Sequence, residues 1–260
     1  PSISPSSSAS ASISPSASTS PSSSASPSGF SGPELLSGLE LWLKADAITG
    51  KSDGDRLIGA GAWPDSSGNS RHGSGNTVSP GNEPQYRASS GPNSMPCVEF
   101  NTGYFDLPNF LTSFTSGEGL VIVQIDADPP AGTPQSGAPF GWWTADPTLD
   151  SLFPFTDGII YEGAGSTARK TGINPTLSLT SWRLYNFRTA PSSYIARLDD
   201  SESIINTGTN TVGWGTTPRI AFSRAGISAT LRGKIAEIIF YSRVLNDATE
   251  RKAVINAYLN

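Results

Sequence analysis

Residues 231–260 read LRGKIAEIIFYSRVLNDATERKAVINAYLN, and inside them one pattern gives way to another. The stretch KIAEIIFYS (234–242) is a strand-like run of β-branched and aromatic residues. Its Glu237 reads as a lone carboxylate on the same side as Ile235 and Ile239. NDATERKAVINAYLN (246–260) then opens on Asn246-Asp247 and sets Glu250 three residues after Asp247, as in a capping box. Val254, Ile255, Tyr258 and Leu259 follow at helical spacing. One strand is therefore expected to lead into one short amphipathic helix that closes the domain.

Working back toward the N-terminus, the same strand-like signal recurs between Gly, Pro, Asn and Ser clusters. It appears in LELWLKA (39–45), CVEFN (97–101), YFDL (104–107), GLVIVQIDA (119–127), GIIYE (158–162), SWRLYNFR (181–188), SYIARL (193–198), SIINT (203–207) and PRIAFS (218–223). In SWRLYNFR, Trp182 and Leu184 fall on one face and Tyr185 and Phe187 on the other, as in a strand covered on both sides. YIARLDDSESIINT reads as a hairpin turning at Asp199 to Ser203. Many short strands with polar turns predict an all-β fold, a two-sheet antiparallel jelly-roll sandwich with one C-terminal helix.

Residues 1–29 are a different kind of sequence. Positions 1–28 use only Pro, Ser, Ile, Ala and Thr, with SISPS recurring at 2 and 12 and PSSSAS at 5 and 21. Such a segment has almost nothing to bury, so it is expected to be a semi-stiff, partly polyproline-II linker, with hydroxyls resembling those of O-glycosylated stalks. Residues 30–260 make one domain, long enough to bury a self-sufficient core. The chain starts at Pro1 without a charged and then apolar leader, so it reads as a fragment or processed product with any export signal upstream.

Charge excludes some functions. The net charge is −5, and no basic cluster is longer than the pair Arg169-Lys170, which is no footprint for a phosphate backbone. No apolar run approaches the ~20 residues of a membrane helix, so neither nucleic acid nor a membrane is an expected partner. Cys97 is the only cysteine, which rules out an intrachain disulfide.

Two stretches, LELWLKADAITGKSDGDRLIGAGAWPDSSGN with PQYRASSGPNSMPCVEFNTGYFDL, and the closing 231–260 phrase, resemble the start and finish of laminin-G-like domains. These belong to the concanavalin A-like lectin/glucanase superfamily. The resemblance brackets residues 35–260, leaving 128–180 unmatched. It implies a jelly roll with rim loops or a concave face for ligands, in bacterial surface or phage virion proteins. Most such domains are non-catalytic glycan-binding or adhesion modules.

The chemistry-bearing clusters are weighed against that. AWPDSSGNSRHG (62–73) holds Asp65, serines and His72, the only histidine. A catalytic triad normally draws on separate rigid elements, no G-x-S-x-G elbow exists, and Cys97 with His72 does no better, so this stretch reads as a turn. Asp65 and Ser66 would cap nearby backbone N–H groups, Gly68 would take a left-handed conformation and Trp63 would anchor the turn. None of the nine glutamates has an aspartate two residues on, so the glucanase arrangement is missing and no catalytic residue is assigned. Calcium is the one ion considered, through Asp53 and Asp55 of SDGDR or Asp126 and Asp128 of DADPP.

For a glycan site, flat aromatic faces and a few amides or carboxylates are needed. Trp142 and Trp143 of FGWWTADPTLD, Trp214 between two glycines, and Asp146 are the ligand-binding candidates, with Asp150 and Asn210 as further polar groups. The expected protein is a non-catalytic glycan-binding or adhesion module on a Ser/Pro-rich stalk, outside the cell or on a virion surface, with cell-surface polysaccharide as partner. The alternative is a structural virion or surface-layer protein that uses the sandwich for assembly. A glycoside hydrolase ranks below both.

Overall fold

The computed structural model describes residues 1–2, 32–128, 137–141, 143–145, 151–222 and 230–259. The chain divides into Pro1–Phe30 and Ser31–Asn260. Apart from Pro1 and Ser2, the expected linker lies outside the described residues.

Among the described residues the second unit is built of fifteen strands and one α-helix. The strands are β1 (Leu39–Lys44), β2 (Gly59–Trp63), β3 (Gly73–Thr77), β4 (Gln85–Arg87), β5 (Cys97–Phe100), β6 (Gly103–Asp106), β7 (Gly117–Ile125), β8 (Phe140–Gly141), β9 (Tyr161–Glu162), β10 (Lys170–Thr171), β11 (Arg183–Ala190), β12 (Ser193–Leu198), β13 (Glu202–Thr207), β14 (Arg219–Ile220) and β15 (Gly233–Tyr241), and the helix is α1 (Lys252–Leu259). All pairings are antiparallel. The large sheet runs β13-β12-β11-β7-β15-β5-β4, the small one β2-β3-β6-β14-β8, and β9 pairs with β10 apart from both. This is the expected antiparallel sandwich with a single short C-terminal helix.

β15 is the axis of the large sheet. It pairs with β7 along its length, while its other edge is shared by β5 at the Gly233 end and β1 at the Tyr241 end. Val121, Val123, Tyr185, Phe187, Ile235, Ile238 and Phe240 point inward to meet Phe105, Phe140 and Ile220 of the small sheet. Two glycines make room for the rings. A Cβ on Gly119 would lie 2.3 Å from Phe187, and one on Gly117 would lie 2.7 Å from Phe240.

The pattern did not announce β2, β3, β4, β8 and β10, and of these β2 and β3 are glycine-rich. Their glycines permit close backbone approach: a Cβ on Gly75 would fall 1.8 Å from the Leu57 carbonyl oxygen. The 193–207 hairpin forms as expected. Asp199 and Asp200 both take positive φ (48° and 60°), and the Ser201 N–H donates to the Leu198 carbonyl, which is the geometry of a type I′ turn.

Two details of the closing segment differ from expectation. The capping residue is Asn246, whose side chain accepts from the Ala248 and Thr249 N–H groups, while its own N–H donates to Glu250 at 2.8 Å. The box is stretched by one residue because Asp247–Arg251 forms a π-turn, with the Arg251 N–H donating to the Asn246 carbonyl. The second difference is in β15, where the register against β7 shifts between Ile235 and Glu237. That bulge at Ala236 breaks the alternation, so Ile235 joins the core while Glu237 faces outward with Ile239.

The outward face of the large sheet is covered over part of its area. The helix packs against β11, and Leu120, Leu184, Ile239, Val254 and Ile255 are all buried. Asp247 pins the segment down by pairing with Arg188, Arg197 and Arg251.

Candidate functional site

The 62–73 stretch is a structural turn. Asp65 Oδ1 accepts from the Trp42 and Ser67 N–H groups at 3.0 and 2.9 Å, and Oδ2 accepts from the Ser67 hydroxyl and the Arg71 N–H at 2.8 and 2.9 Å. His72 Nδ1 accepts the Asp65 N–H at 2.9 Å, which commits the imidazole to the backbone. Gly68 has φ +88° and Trp63 is fully buried.

Asp53, Asp55 and Asp128 are likewise engaged, accepting from the backbone N–H groups of Ala88, Ser52 and Leu179. Among the described residues no group of three or more metal-ligating side chains comes together. Cys97 is buried, and that burial pushes its thiol up to about 12.

Two of the sugar-platform candidates need correction. Trp143 is fully buried and Trp214 nearly so, their rings set edge-on to Phe240 at centroid distances of 5.3 and 5.4 Å. Their indole N–H groups donate to the Arg219 and Phe114 carbonyls at 2.9 and 2.8 Å. The reason is apolar area: each large ring is worth more in the core than on the rim, provided its N–H finds a partner. Neither presents a face to a sugar. Trp142, Asp146 and Asp150 lie outside the described residues. Asn210 lines a rim hollow of about 390 Å³, but its amide is spent on Ser166, Thr189 and the Ala190 carbonyl.

Glu162, Glu118 and Glu237 are carboxylates whose pKa burial raises, and their surroundings separate them. Glu162 is buried and accepts from the Gly163, Ala164, Tyr185 and Ser151 donors. Glu118 is buried beneath the chain at Leu245, accepting from its N–H and from Asn186, and desolvation pushes it up to about 7. Neither lines a hollow described here.

Glu237 does. It sits in a cleft of about 310 Å³ lined by Ile122 and Ala236 of the large sheet, by Ala257 and Tyr258 of α1, and by Pro92, Asn93, Met95 and Pro96 of the loop before β5. Lys44, Ala45 and Asp46 complete the lining, and Asp46, Asn93 and Met95 are exposed, so the cleft opens to solvent. The Trp42 indole N–H and the Tyr258 hydroxyl both donate to Glu237 Oε1. Burial raises the Glu237 pKa, and the Trp42 and Tyr258 bonds oppose that rise. Asp46, the other carboxylate of the cleft, pairs with Lys44 at 3.9 Å.

Beside the cleft the register lines up a polar row across four strands: Gln85 opposite Glu99, Glu99 opposite Lys234, and Lys234 opposite Gln124. Their neighbours Val98, Val123 and Ile235 face the core, so the row faces outward. At ~4.8 Å per strand it spans about 14 Å. It ends in a hollow of about 170 Å³ lined by Asn82, Glu83, Gln85, Arg87, Glu99 and Asn101. Sequence reasoning missed this row because its members come from four separated segments. Trp42 had a local signal, alternating with Leu41 and Leu43 in LELWLKA and therefore facing away from the core.

No protein-family model matches the chain. No curated protein matches it. Solved structures do. The fourth domain of an extracellular GH43 arabinanase from Geobacillus stearothermophilus, solved with arabinotriose, superposes with a TM-score of 0.59 at 15% identity over 83% of this chain and 98% of that one. The binding domain of Paraclostridial Mosquitocidal Protein 1 gives 0.56 at 10% identity over 86% of this chain. Trypanosoma rangeli sialidase gives 0.54 at 14% identity, also over 86%. The likeness is one of fold. The chain spans 53% of the toxin domain's chain and 33% of the sialidase, but nearly all of the arabinanase domain.

Proposed function

We propose that residues 30–260 form a non-catalytic carbohydrate-binding module of the laminin-G-like, concanavalin A-like type, carried on the Ser/Pro-rich segment as a stalk and working outside the cell or on a virion surface. The observation that carries this reading is the outward row Gln85–Glu99–Lys234–Gln124 beside the Glu237 cleft. Arg87 beside it donates to Gln85 and Glu99, and the Gln124 amide N–H donates to the Thr180 carbonyl, so the Lys234 ammonium and the Gln124 carbonyl oxygen are the groups it offers to a ligand. Such a surface, close to neutral and offering a donor and an acceptor, suits a polyhydroxylated ligand better than a strongly charged one. The arabinanase domain solved with arabinotriose adds a precedent for sugar on this fold.

A glycan array followed by pull-down on insoluble polysaccharide tests the reading. Lys234→Ala and Gln124→Ala are each expected to weaken binding about tenfold, at roughly 1.4 kcal/mol per decade. No binding to any glycan, together with defined oligomers in solution, would instead support the assembly role in a virion or surface layer. Asp46 and Glu237 share one cleft, which favours keeping hydrolysis as a second reading. Release of reducing sugar that disappears in Glu237→Gln would establish it.

A further inference from the structure

We propose that the cleft beside Glu237 receives the acetamido group of an N-acetylated sugar, an inference that rests on the carbohydrate-binding reading above. Both fixed donors, Trp42 and Tyr258, go to Glu237 Oε1. Oε2 has no hydrogen-bond partner among the described residues, and it is not sealed from solvent. A carboxylate that lines a cleft with one oxygen left in this way calls for an N–H or O–H donor from the ligand.

The surroundings select among donors. Met95, Pro92, Pro96, Ile122 and Ala236 give the cleft apolar surfaces, while Lys44 and Asn93 bring hydrogen-bond donors. A ligand that fits must donate one hydrogen bond, accept another and bury a small apolar group. A hydroxyl has no apolar part to bury, and an alkyl group cannot donate. An acetamido group meets all three demands through its N–H, carbonyl and methyl. The volume of about 310 Å³ leaves room for part of the attached ring. Stacking on Trp42 is not part of this proposal, because Trp42 is not among the residues that line the cleft and the Lys44 ammonium lies over one face of its ring, 4.7 Å from the centroid.

The test compares sugars that differ only at this group: the methyl glycosides of N-acetylglucosamine and glucose, N-acetylgalactosamine and galactose, and N-acetylmannosamine and mannose, titrated against the full chain by calorimetry. In at least one pair the acetamido form is expected to bind about tenfold or more tightly. Glu237→Gln keeps a carbonyl oxygen for Trp42 and Tyr258 but turns an N–H toward the ligand's N–H, so it should erase that preference. Met95→Asp, at an exposed wall position, should reduce the preference severalfold with the fold intact, and it decides the matter if Glu237→Gln fails to fold. No preference within any pair, or a preference untouched by the variants, overturns the proposal. Binding of other polysaccharides without such a preference leaves the broader reading standing, whereas failure to bind any glycan removes both.

Discussion

At the scale of single residues, the polar groups of this protein are mostly occupied with the backbone. Asp65 is the clearest case, since one carboxylate serves three N–H groups and a hydroxyl and ties the 62–73 turn to Trp42 of β1. Asp65→Ala is expected to cost about 2–4 kcal/mol in urea unfolding, because part-buried donors lose their acceptor. His72→Ala should cost under about 1 kcal/mol, since only the Asp65 N–H loses a partner, at an exposed position. Trp143→Ala should lower stability by about 3–5 kcal/mol, seen as a lower melting temperature, through the cavity it leaves between Phe140 and Phe240. Any loss of glycan binding in that variant should track unfolding.

At the scale of elements, the C-terminal segment owes its place to side chains on the sheet as much as to its own propensity. α1 has eight residues, too few to be stable alone, so its anchors matter. Asp247 bridges Arg188 of β11, Arg197 of β12 and Arg251 of the π-turn, and Arg251 also pairs with Asp200 at 2.5 Å. Asp247→Ala is expected to cost about 1–3 kcal/mol, the partial exposure of Asp247 discounting the larger figure for a fully buried pair. Amide hydrogen exchange should show the loss first in residues 252–259, ahead of β7 and β15. Asn246→Ala should cost about 1 kcal/mol by removing the cap.

At the scale of the whole molecule, the buried carboxylates govern the response to pH. Burial raises Glu118 to about 7 and also raises Glu162 and Glu237. The folded state therefore holds these protons more tightly than the unfolded chain. The stabilisation is complete below about 4.5 and is lost as pH rises through 7, by roughly 3 kcal/mol for Glu118 alone. On the acid side, the Arg243 guanidinium and the Asn246 N–H hold Glu250 down to about 2, so its contribution is lost as pH falls from 4.5 toward 2. Urea midpoints should be higher at pH 5 than at pH 8, and Glu118→Gln, which is neutral throughout, should flatten that difference.

The sequence by itself determined the all-β class, the long strands β7, β11 and β15, the 193–207 hairpin, the closing helix and the turn at Asp65. Each of these rests on alternation, helical spacing or turn chemistry within a dozen or so neighbouring residues, which a linear reading captures. Only the tertiary structure decided which way Glu237 faces, because a one-residue bulge resets every side chain beyond it and nothing local in IAEI marks that extra residue. Only the tertiary structure could bring Gln85, Glu99, Lys234 and Gln124 into one row or send Trp143 and Trp214 inward. Cross-strand register and burial depend on contacts between segments far apart in the chain, and no window of neighbouring residues contains them.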